Sequence, residues 1–204
     1  MPWRFGPQTV SPPVSPEQLS DEELVRLALK EATFFKFLIE RYEGKLLAYI
    51  HRFIHCAHED AEDILQEALI KTYRNLASFG PPLKFSSWIY RIVHNEAVSF
   101  LRRNKLKIQE DDENYTLLHS IAADTNVEED AEKSLNKATV KAYLDTLPEK
   151  NKAVLTLRYF EEKEYSEIAD ILRLPIGTVA TLINRSKLKL RQLITDQATS
   201  TTHV

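Results

Sequence analysis

Apolar residues recur at helical spacing along most of the chain between residues 20 and 195, which predicts a protein built from helices. The clearest run lies in residues 31–55 and predicts one long amphipathic helix facing a bundle core. Its apolar positions are Phe35, Leu38, Ile39, Tyr42, Leu46, Ile50 and Phe53. Ser20 and Glu23 form a capping-box pattern that starts a shorter helix before it, and residues 59–77 predict another helix after it. The fold class we predict is all-α.

Residues 79–107 predict the helix that organises the rest, entered through a Gly-Pro-Pro turn. At 100° per residue its core-facing arc holds Phe85, Trp88, Ile89, Ile92, Val93 and Phe100. The opposite face carries a continuous line formed by Ser87, Arg91, Asn95, Val98 and Arg102. Glu96 falls within the core arc, where a carboxylate needs a partner that the sequence does not identify.

The C-terminal third predicts a helix-turn-helix. Helices are predicted over 131–146, 149–161 and 165–172, then a tight turn over 173–177, then a long helix from Thr178 to about 195. On the last helix the residues predicted to face inward are Val179, Leu182, Ile183, Leu190, Leu193 and Ile194. Those predicted to face outward are Thr181, Asn184, Arg185, Leu188 and Gln192. An ordinary helical hairpin is the alternative.

These patterns divide the chain into two small helical domains joined by an acidic linker. Residues 1–16 hold five prolines and predict a flexible tail. Residues 17–107 form the first helical domain, and residues 108–130 form the linker. Residues 131–195 form the helix-turn-helix domain, and residues 196–204 are predicted to be a disordered C-terminal tail.

Charge is segregated along the chain, although the net charge is only −3. Residues 57–70 carry five acids and no Lys or Arg, whereas residues 71–107 carry eight Lys or Arg and one acid. Residues 110–132 carry nine acids, and residues 182–194 carry four basic residues. A basic stripe backed by aromatic residues indicates a nucleic-acid surface, with a plain solvated helix face as the alternative. The acids of residues 57–70 exceed what helix capping requires and favour docking of a basic partner.

Other classes of site receive little support. A single cysteine, Cys56, excludes an internal disulfide and fits a reducing compartment, and no apolar run is long enough to span a bilayer, so we expect a cytoplasmic protein. His51 and His55 lie four apart and could share a metal, but His58 lies past the predicted helix end and no second cluster completes a metal site. No nucleophile or phosphate loop accompanies the acids. We therefore expect no metal, no cofactor and no catalytic residue.

Three motifs in order resemble the bacterial RNA polymerase sigma factors of the extracytoplasmic-function (ECF) type, over about residues 20–195. DAEDILQEALIKTYRNLASF resembles the region that docks on the polymerase clamp. FSSWIYRIVHNEAVSFLRR resembles the segment that melts the promoter and reads its minus-ten element. The stretch from LPEKNKAVLTLRYF through EIADILRLPIGTV to the basic tail resembles the domain that reads the minus-thirty-five element.

The resemblance implies partners and site residues for this chain. Its partners would be core RNA polymerase, promoter DNA and an anti-sigma factor. The implied polymerase-binding residues are Asp60, Glu62, Asp63, Gln66 and Glu67. The implied minus-ten residues are Phe79, Lys84, Phe85, Ser87, Trp88, Arg91, Asn95, Arg102 and Arg103. The implied minus-thirty-five residues are Arg158, Thr178, Thr181, Asn184, Arg185 and Lys187. The family's linker threads toward the polymerase active centre, and residues 110–132 match it in composition only.

Two departures from the family pattern bear on promoter binding. Arg173 stands where the family has Gly in the turn, which costs about 1 kcal/mol if the position needs a positive φ. Ala180-Thr181-Leu182 replaces Lys-Ser-Arg, so two expected cations are missing and minus-thirty-five binding would be weaker or differently specific.

Two other functions remain open from the sequence. A free-standing helix-turn-helix regulator would bind duplex DNA without polymerase, but it leaves residues 79–107 unexplained. A sigma-like adaptor would bind polymerase or an anti-sigma protein without reading DNA.

Overall fold

A computed structural model describes residues 15–110, 144 and 146–201, with backbone alone for 105–110 and 190–201. This part of the chain contains seven α-helices and no strand, which confirms the all-α prediction. The helices are α1 (Asp21–Ala28), α2 (Phe35–Phe53), α3 (His58–Arg74), α4 (Phe85–Glu110), α5 (Glu149–Tyr159), α6 (Tyr165–Leu172) and α7 (Ile176–Thr201). The predicted helix over 131–146, the N-terminal tail to residue 14 and the linker from residue 111 lie outside the described residues.

Local sequence signals set several helix boundaries. Ser20 caps α1 as its capping box predicts, because its Oγ accepts from the Glu23 amide at 3.3 Å. The Glu23 carboxylate accepts in return from the Ser20 amide at 2.8 Å. Helices α4 and α7 both run further than the sequence indicated. Helix α4 continues three residues into the predicted linker, and α7 continues to Thr201, so residues 196–201 are helical rather than disordered. No Gly or Pro interrupts either extension.

The larger of two buried apolar clusters in the described residues joins the N-terminal helices α1–α4 to the C-terminal helices α5–α7. The smaller cluster consists of Leu144, Leu147 and Leu155. Leu38, Leu46 and Ile50 of α2 are fully buried, as their spacing predicts. The C-terminal helices contribute buried residues to the larger cluster, namely Ala153, Val154, Leu157, Ile168, Ile171, Val179 and Ile183. The two predicted domains therefore share a core in the described chain.

Three aromatic positions depart from the predicted pattern. Tyr73, predicted to be in the core, is 47% exposed. Trp88 is only half-buried, although it packs on the core. Tyr90 was not assigned to the core arc of α4 and is 1% exposed, because α5–α7 cover a side of α4 that periodicity alone leaves to solvent.

Glu96 has the partner that the sequence could not identify. Glu96 is 8% exposed, and its Oε2 accepts a hydrogen bond from Lys71 Nζ of α3 at 2.7 Å. This hydrogen bond is the main cause that raises the pKa of Lys71. The ammonium group reaches the carboxylate from the solvent side, so the pair satisfies a carboxylate within an otherwise apolar arc.

Replacing Lys71 with Met is expected to destabilise the fold by about 1–3 kcal/mol, because it leaves the buried Glu96 carboxylate unpartnered. Urea unfolding measures the loss. Lys36→Met is the matched control, since Lys36 pairs with Glu40 on an open surface and should cost less than about 0.5 kcal/mol. Equal midpoints for the two variants would contradict the assignment.

His94 is held as a neutral imidazole inside the N-terminal helices. Its Nδ1 is 2.8 Å from the Tyr49 hydroxyl, and its ring centroid lies 4.8 Å from that of Phe53. Burial lowers the pKa of His94 from 6.5 to about 4. Between these two pH values the unfolded chain binds a proton at this residue and the folded chain does not. The contribution of His94 to the free energy of unfolding is therefore lost as the pH falls from 6.5 to about 4.

We expect the free energy of unfolding to fall by about 1.4 kcal/mol per pH unit from His94 alone across that window. Urea unfolding at several pH values, compared between the unsubstituted chain and His94→Gln, isolates this slope from the titration of carboxylates. His58→Gln is the control, because His58 is exposed. A His94→Gln chain that keeps the full acid slope would show that His94 is not its source.

Candidate nucleic-acid interface

The acidic face predicted to bind polymerase lies on α3. Glu62, Asp63, Gln66 and Glu67 are exposed and Asp60 is half-buried. Their spacing of three and four residues places them along one side of the helix. Neighbouring basic groups neutralise part of the charge: His58 Nε2 is 3.3 Å from Glu62 Oε1, and Lys71 Nζ is 3.5 Å from Glu67 Oε1.

An apolar groove of about 580 Å³ runs between α2 and α3, next to this acidic face. The sequence alone did not predict this groove. Its lining includes Glu62 and Gln66 together with the apolar residues Phe35, Ile39, Leu47, Leu65, Leu69, Ile70 and Tyr73. Ile70 is 38% exposed, and Ile70 and Tyr73 lie three apart. The sequence does contain a signal for this groove. Ile70 and Tyr73 form an apolar pair at helical spacing that lies next to the core stripe of α3 and not within it.

Three of the residues predicted to read the minus-ten element are exposed on α4. Asn95, Arg102 and Arg103 point to solvent and present one amide and two guanidinium groups. Lys84, just before the helix, is also exposed, but its Nζ lies 3.4 Å from Glu167 Oε1 of α6. The outer half of α4 is thus open to a phosphate backbone.

Phe85 lies in the core, as its place on the predicted core arc indicates, whereas Ser87, predicted on the solvent face, is also buried. Phe85 is 0% exposed and packs edge-on against Tyr42 and Phe79, with ring centroids 5.7 and 5.5 Å apart. Ser87 is also 0% exposed, and its Oγ has no hydrogen-bond partner among the described residues. Lys84 and Arg91, on the same side of α4, both contact α6, so α6 covers the helix face around Ser87.

The half-buried rings of Phe79 and Trp88 form the accessible part of the aromatic cluster. Their centroids are 5.4 Å apart, and Trp88 lies 5.8 Å from Phe85. Phe85 therefore supports the pair from inside, and a base could stack only on Phe79 or Trp88.

Arg91 contacts the C-terminal helices and remains partly exposed. Its Nε donates to the Asp170 carbonyl oxygen of α6 at 2.8 Å. Burial lowers the pKa of the Arg91 guanidinium, and the neighbouring positive charge of Arg173 lowers it further. The DNA contact predicted for Arg91 would compete with this hydrogen bond.

Helices α6 and α7 form the predicted helix-turn-helix. Thr178, Thr181, Asn184, Arg185 and Lys187 are all exposed on α7, as the pattern predicts. Thr181 Oγ1 donates to the Gly177 carbonyl oxygen. Val179 and Ile183 are buried on the other side. The outward face is therefore free to enter a major groove.

Arg158, also predicted to bind DNA, is engaged within the C-terminal helices. Its Nη1 donates to the Lys163 carbonyl oxygen at 3.0 Å, and its guanidinium lies 5.4 Å from the Tyr165 ring centroid. These contacts hold the connection between α5 and α6. Arg158 shapes the helix-turn-helix and does not project from it.

The residues that stand in place of the family's cations differ in exposure. Leu182 is partly buried and packs on the core, and Ala180 is half-buried. Only Thr181, between them, is exposed.

Arg173 occupies the left-handed region, with φ 53° and ψ 48°, at the end of α6. Its backbone therefore adopts the conformation that the family's Gly provides. Because Arg173 has a Cβ, this conformation is sterically less favourable than it would be for Gly.

In the part of the chain that the structure describes, no group of His, Cys, Asp or Glu is placed to hold a metal ion. His51 and His58 instead pair with each other, their ring nitrogens 3.2 Å apart. Within the same residues, no helix has the length and apolarity needed to cross a membrane.

An acidic docking face, a basic helix with exposed Asn and Arg, and a helix-turn-helix together define a helical DNA-binding protein. Family models match two segments of the chain: Sigma-70 region 2 over residues 38–107 and Sigma-70 region 4 over residues 137–190.

The chain is 36% identical over 168 residues to the ECF RNA polymerase sigma factor SigW of Bacillus subtilis, which covers 79% of this chain and 89% of that protein. It is 35% identical over 179 residues to the ECF RNA polymerase sigma-E factor of Haemophilus influenzae, covering 84% and 93%. The fold resembles the sigma factor RpoE of Bartonella quintana, solved with the anti-sigma factor NepR, with a TM-score of 0.65 and 22% identity. That match covers 79% of this chain and 96% of the solved chain.

The chain belongs to the ECF-type RNA polymerase sigma factors. As a member of this family, it binds core RNA polymerase and directs promoter recognition and transcription initiation.

Arg173→Gly is expected to raise the free energy of unfolding by up to about 1 kcal/mol, because Gly adopts a positive φ without a Cβ clash. Thermal or urea unfolding measures the gain. Arg173→Ala is the matched control, since it removes the positive charge near Arg91 and keeps the Cβ. If Ala stabilises as much as Gly, relief of charge repulsion, and not backbone strain, is the cause.

Proposed function

We propose that three surfaces of this protein each serve one step of initiation, and that exposed residues on each surface make the contacts. The acidic face of α3 and the adjacent groove hold core polymerase, α4 receives the minus-ten strand, and α7 reads the minus-thirty-five element. The observation that carries this proposal is that Asn95, Arg102 and Arg103 lie exposed on the helix that also holds the aromatic cluster.

Polymerase docking on α3 uses two kinds of contact in this proposal. Asp60, Glu62, Asp63, Gln66 and Glu67 attract a basic segment of polymerase, and the α2–α3 groove accepts apolar side chains from the same segment. Glu62 and Gln66 line the groove, so both contacts can be made by one partner surface. Charged contacts at the rim raise the rate of encounter, and apolar burial slows dissociation.

Strand opening relies on Phe79 and Trp88. Unstacking a base costs free energy, and stacking on an aromatic side chain returns about 1–3 kcal/mol per base. The exposed Asn95, Arg102 and Arg103 hold the strand's phosphates and bases alongside. Lys84 is exposed and can join them, whereas Arg91 would first have to give up its hydrogen bond to the Asp170 carbonyl oxygen of α6.

In this proposal the exposed face of α7 recognises the minus-thirty-five element. Thr178, Thr181 and Asn184 face the base edges, and Arg185 and Lys187 face phosphates. In this proposal residues 17–107 and 131–195 act as two reading modules joined by the acidic linker of residues 108–130.

The activity proposed here is binding and not catalysis, so no reaction step is assigned to a side chain of this chain. We place it in the cytoplasm, with polymerase and the chromosome. An anti-sigma factor is a further proposed partner, supported by the fold's likeness to a sigma factor solved with one.

Run-off transcription with purified core polymerase tests the function, using templates from the source genome. Transcripts with a defined start that need both proteins support it. Polymerase binding without transcription on any template would favour the adaptor, and tight duplex binding without polymerase would favour a free-standing regulator.

Two charge-reversal variants should separate the surfaces. Arg102→Glu with Arg103→Glu is expected to reduce open-complex formation at least about a hundredfold, since phosphate contacts become repulsive, and to leave polymerase affinity unchanged. Asp63→Lys with Glu67→Lys should instead weaken polymerase binding. Glu40→Lys, an exposed acid on α2 outside both surfaces, is the control. Permanganate footprinting and fluorescence anisotropy measure the two steps, and identical defects in both pairs would contradict the division.

A further inference from the structure

The groove between α2 and α3 is apolar and open to solvent. Its volume of about 580 Å³ lies within the roughly 300–1,000 Å³ that is typical of ligand sites. Ile70 is 38% exposed and Tyr73 is 47% exposed, so both keep apolar surface in contact with water. An exposed apolar surface of this kind favours an occupant that removes it from water.

The rim of this groove is acidic away from one end. The rings of Phe35 and Tyr73, 5.1 Å apart, mark that end, where the start of α2 meets the end of α3. Glu43 lies about two turns further along α2, and Glu62 lies about three turns back along α3. Both glutamates line the groove and are exposed. Arg74, the cation of the lining, is in the last turn of α3, at the end away from Glu62.

The N-terminal segment, residues 1–14, enters the described chain beside one wall of this groove. The first described residue, Ser15, is followed by a short helical turn that α2 holds in place. Arg41 of α2 donates from its Nη2 to the Glu17 carbonyl oxygen at 3.3 Å. Arg41 is two residues before Glu43 on the same helix. The segment therefore starts on the helix that forms one wall of the groove.

The segment is long enough to reach the groove from this point. Trp3 precedes Ser15 by twelve residues, which span about 37 Å at the 3.1 Å per residue of a proline-rich chain. Residues two apart point to opposite sides of a helix. The path is therefore about half the circumference of a cylinder 10–12 Å across, roughly 15–20 Å.

The chemistry of the segment matches that of the groove. Trp3 and Phe5 are its aromatic residues, and Arg4 between them is its single charged residue. Alternate side chains of an extended chain share a side, so Trp3 and Phe5 enter the groove together. The long side chain of Arg4 then stays at the rim, where Glu43 and Glu62 supply the opposite charge.

The acidic linker is the less suitable occupant among the segments outside the described residues. Residues 110–132 contain a small apolar patch but also nine acids. Docking of the linker would bring like charge to the rim formed by Glu43 and Glu62, which is unfavourable. Charge therefore favours the N-terminal segment.

We propose that the N-terminal segment docks in the α2–α3 groove of its own chain through Trp3 and Phe5, with Arg4 at the acidic rim, and competes there with core polymerase. The competition rests on the proposed function, which assigns the groove to polymerase, whereas the docking does not. Residues 6–14 tether the two aromatic anchors, so their effective concentration at the groove is on the order of millimolar and weak docking suffices. A groove that is occupied nine-tenths of the time weakens polymerase binding about tenfold.

Fluorine NMR of the full-length chain tests the docking. With 5-fluorotryptophan incorporated, Trp3 and Trp88 give one resonance each, assigned with Trp3→Phe. We expect the Trp3 resonance to differ from that of a peptide of residues 1–16, and Ile70→Lys to return it to the peptide position. Leu29→Lys is the matched control, because Leu29 is 51% exposed and outside the groove lining. An unchanged Trp88 resonance verifies the fold of both variants.

Two results of this measurement would overturn the docking. One is a Trp3 resonance at the peptide position in the unsubstituted chain. The other is a Trp3 resonance that moves with protein concentration, because the occupant of the groove would then be the segment of a second copy.

A charge swap tests the placement of Arg4, with the same resonance as readout. Arg4→Glu is expected to lower the ratio of docked to free segment about two- to fivefold, the range of an exposed ion pair. Adding Glu43→Lys to that variant should restore the ratio. Glu40→Lys is the control, since Glu40 is an exposed acid of α2 outside the groove lining. Equal effects of the two lysine substitutions would overturn the placement of Arg4.

Polymerase affinity separates this inference from the proposed function. Trp3→Ala with Phe5→Ala, in the full-length chain, should bind core polymerase about two- to tenfold more tightly by fluorescence anisotropy. Gln8→Ala with Thr9→Ala is the control, because it changes the same segment and keeps both anchors. Weaker binding by the first pair would overturn the competition and make the segment a polymerase contact. A docked Trp3 resonance with unchanged polymerase affinity would instead contradict the part that the proposed function gives to the groove.

Discussion

Helix α4 packs against both halves of the described chain, and this double packing determines what each of its residues can do. On one side it meets α2 and α3 through Phe85, Ile89 and Val93, all nearly inaccessible. On another it meets α6 through Lys84 and Arg91. Among the described residues, Asn95, Arg102 and Arg103 in its outer half face solvent. The helix proposed to read DNA is thus also a central support of the fold.

The interfaces of α4 with α3 and with α6 differ in how well their polar groups are paired. Toward α3, the single carboxylate in its core arc, Glu96, is matched by Lys71 at 2.7 Å. Toward α6, the Ser87 hydroxyl has no partner among the described residues, and Arg91 sits near another arginine. Consistent satisfaction of polar groups is typical of a permanent core, and local conflicts are typical of surfaces with another task. The contrast separates the part of α4 that holds the fold from the part that serves binding.

Periodicity predicted the helices and much of the core, because a buried helix face leaves its mark at every third or fourth residue. It correctly placed Leu38, Leu46 and Ile50, and the outward face of α7. It could not place Ser87 or Tyr90, because the packing of the C-terminal helices on α4 depends on contacts between residues about 80 apart in the chain. The same limit applies to Glu96, whose partner Lys71 lies on another helix, and to Arg158, which is held by a loop that follows it. Charge segregation indicated the surfaces, but pairing across helices decides which of their residues are free.

Arg173 shows how a local strain and a long-range contact meet at one residue. Its positive φ lets the chain turn between α6 and α7, while Asp170, three residues earlier on α6, presents its carbonyl oxygen to Arg91. The positive charge of Arg173 lies near Arg91 and lowers the pKa of that guanidinium further. A Gly at this position would keep the turn and lose the repulsion, so it would favour the contact between Arg91 and α6. Arginine at the turn therefore weakens that contact, on the face of α4 proposed for minus-ten reading.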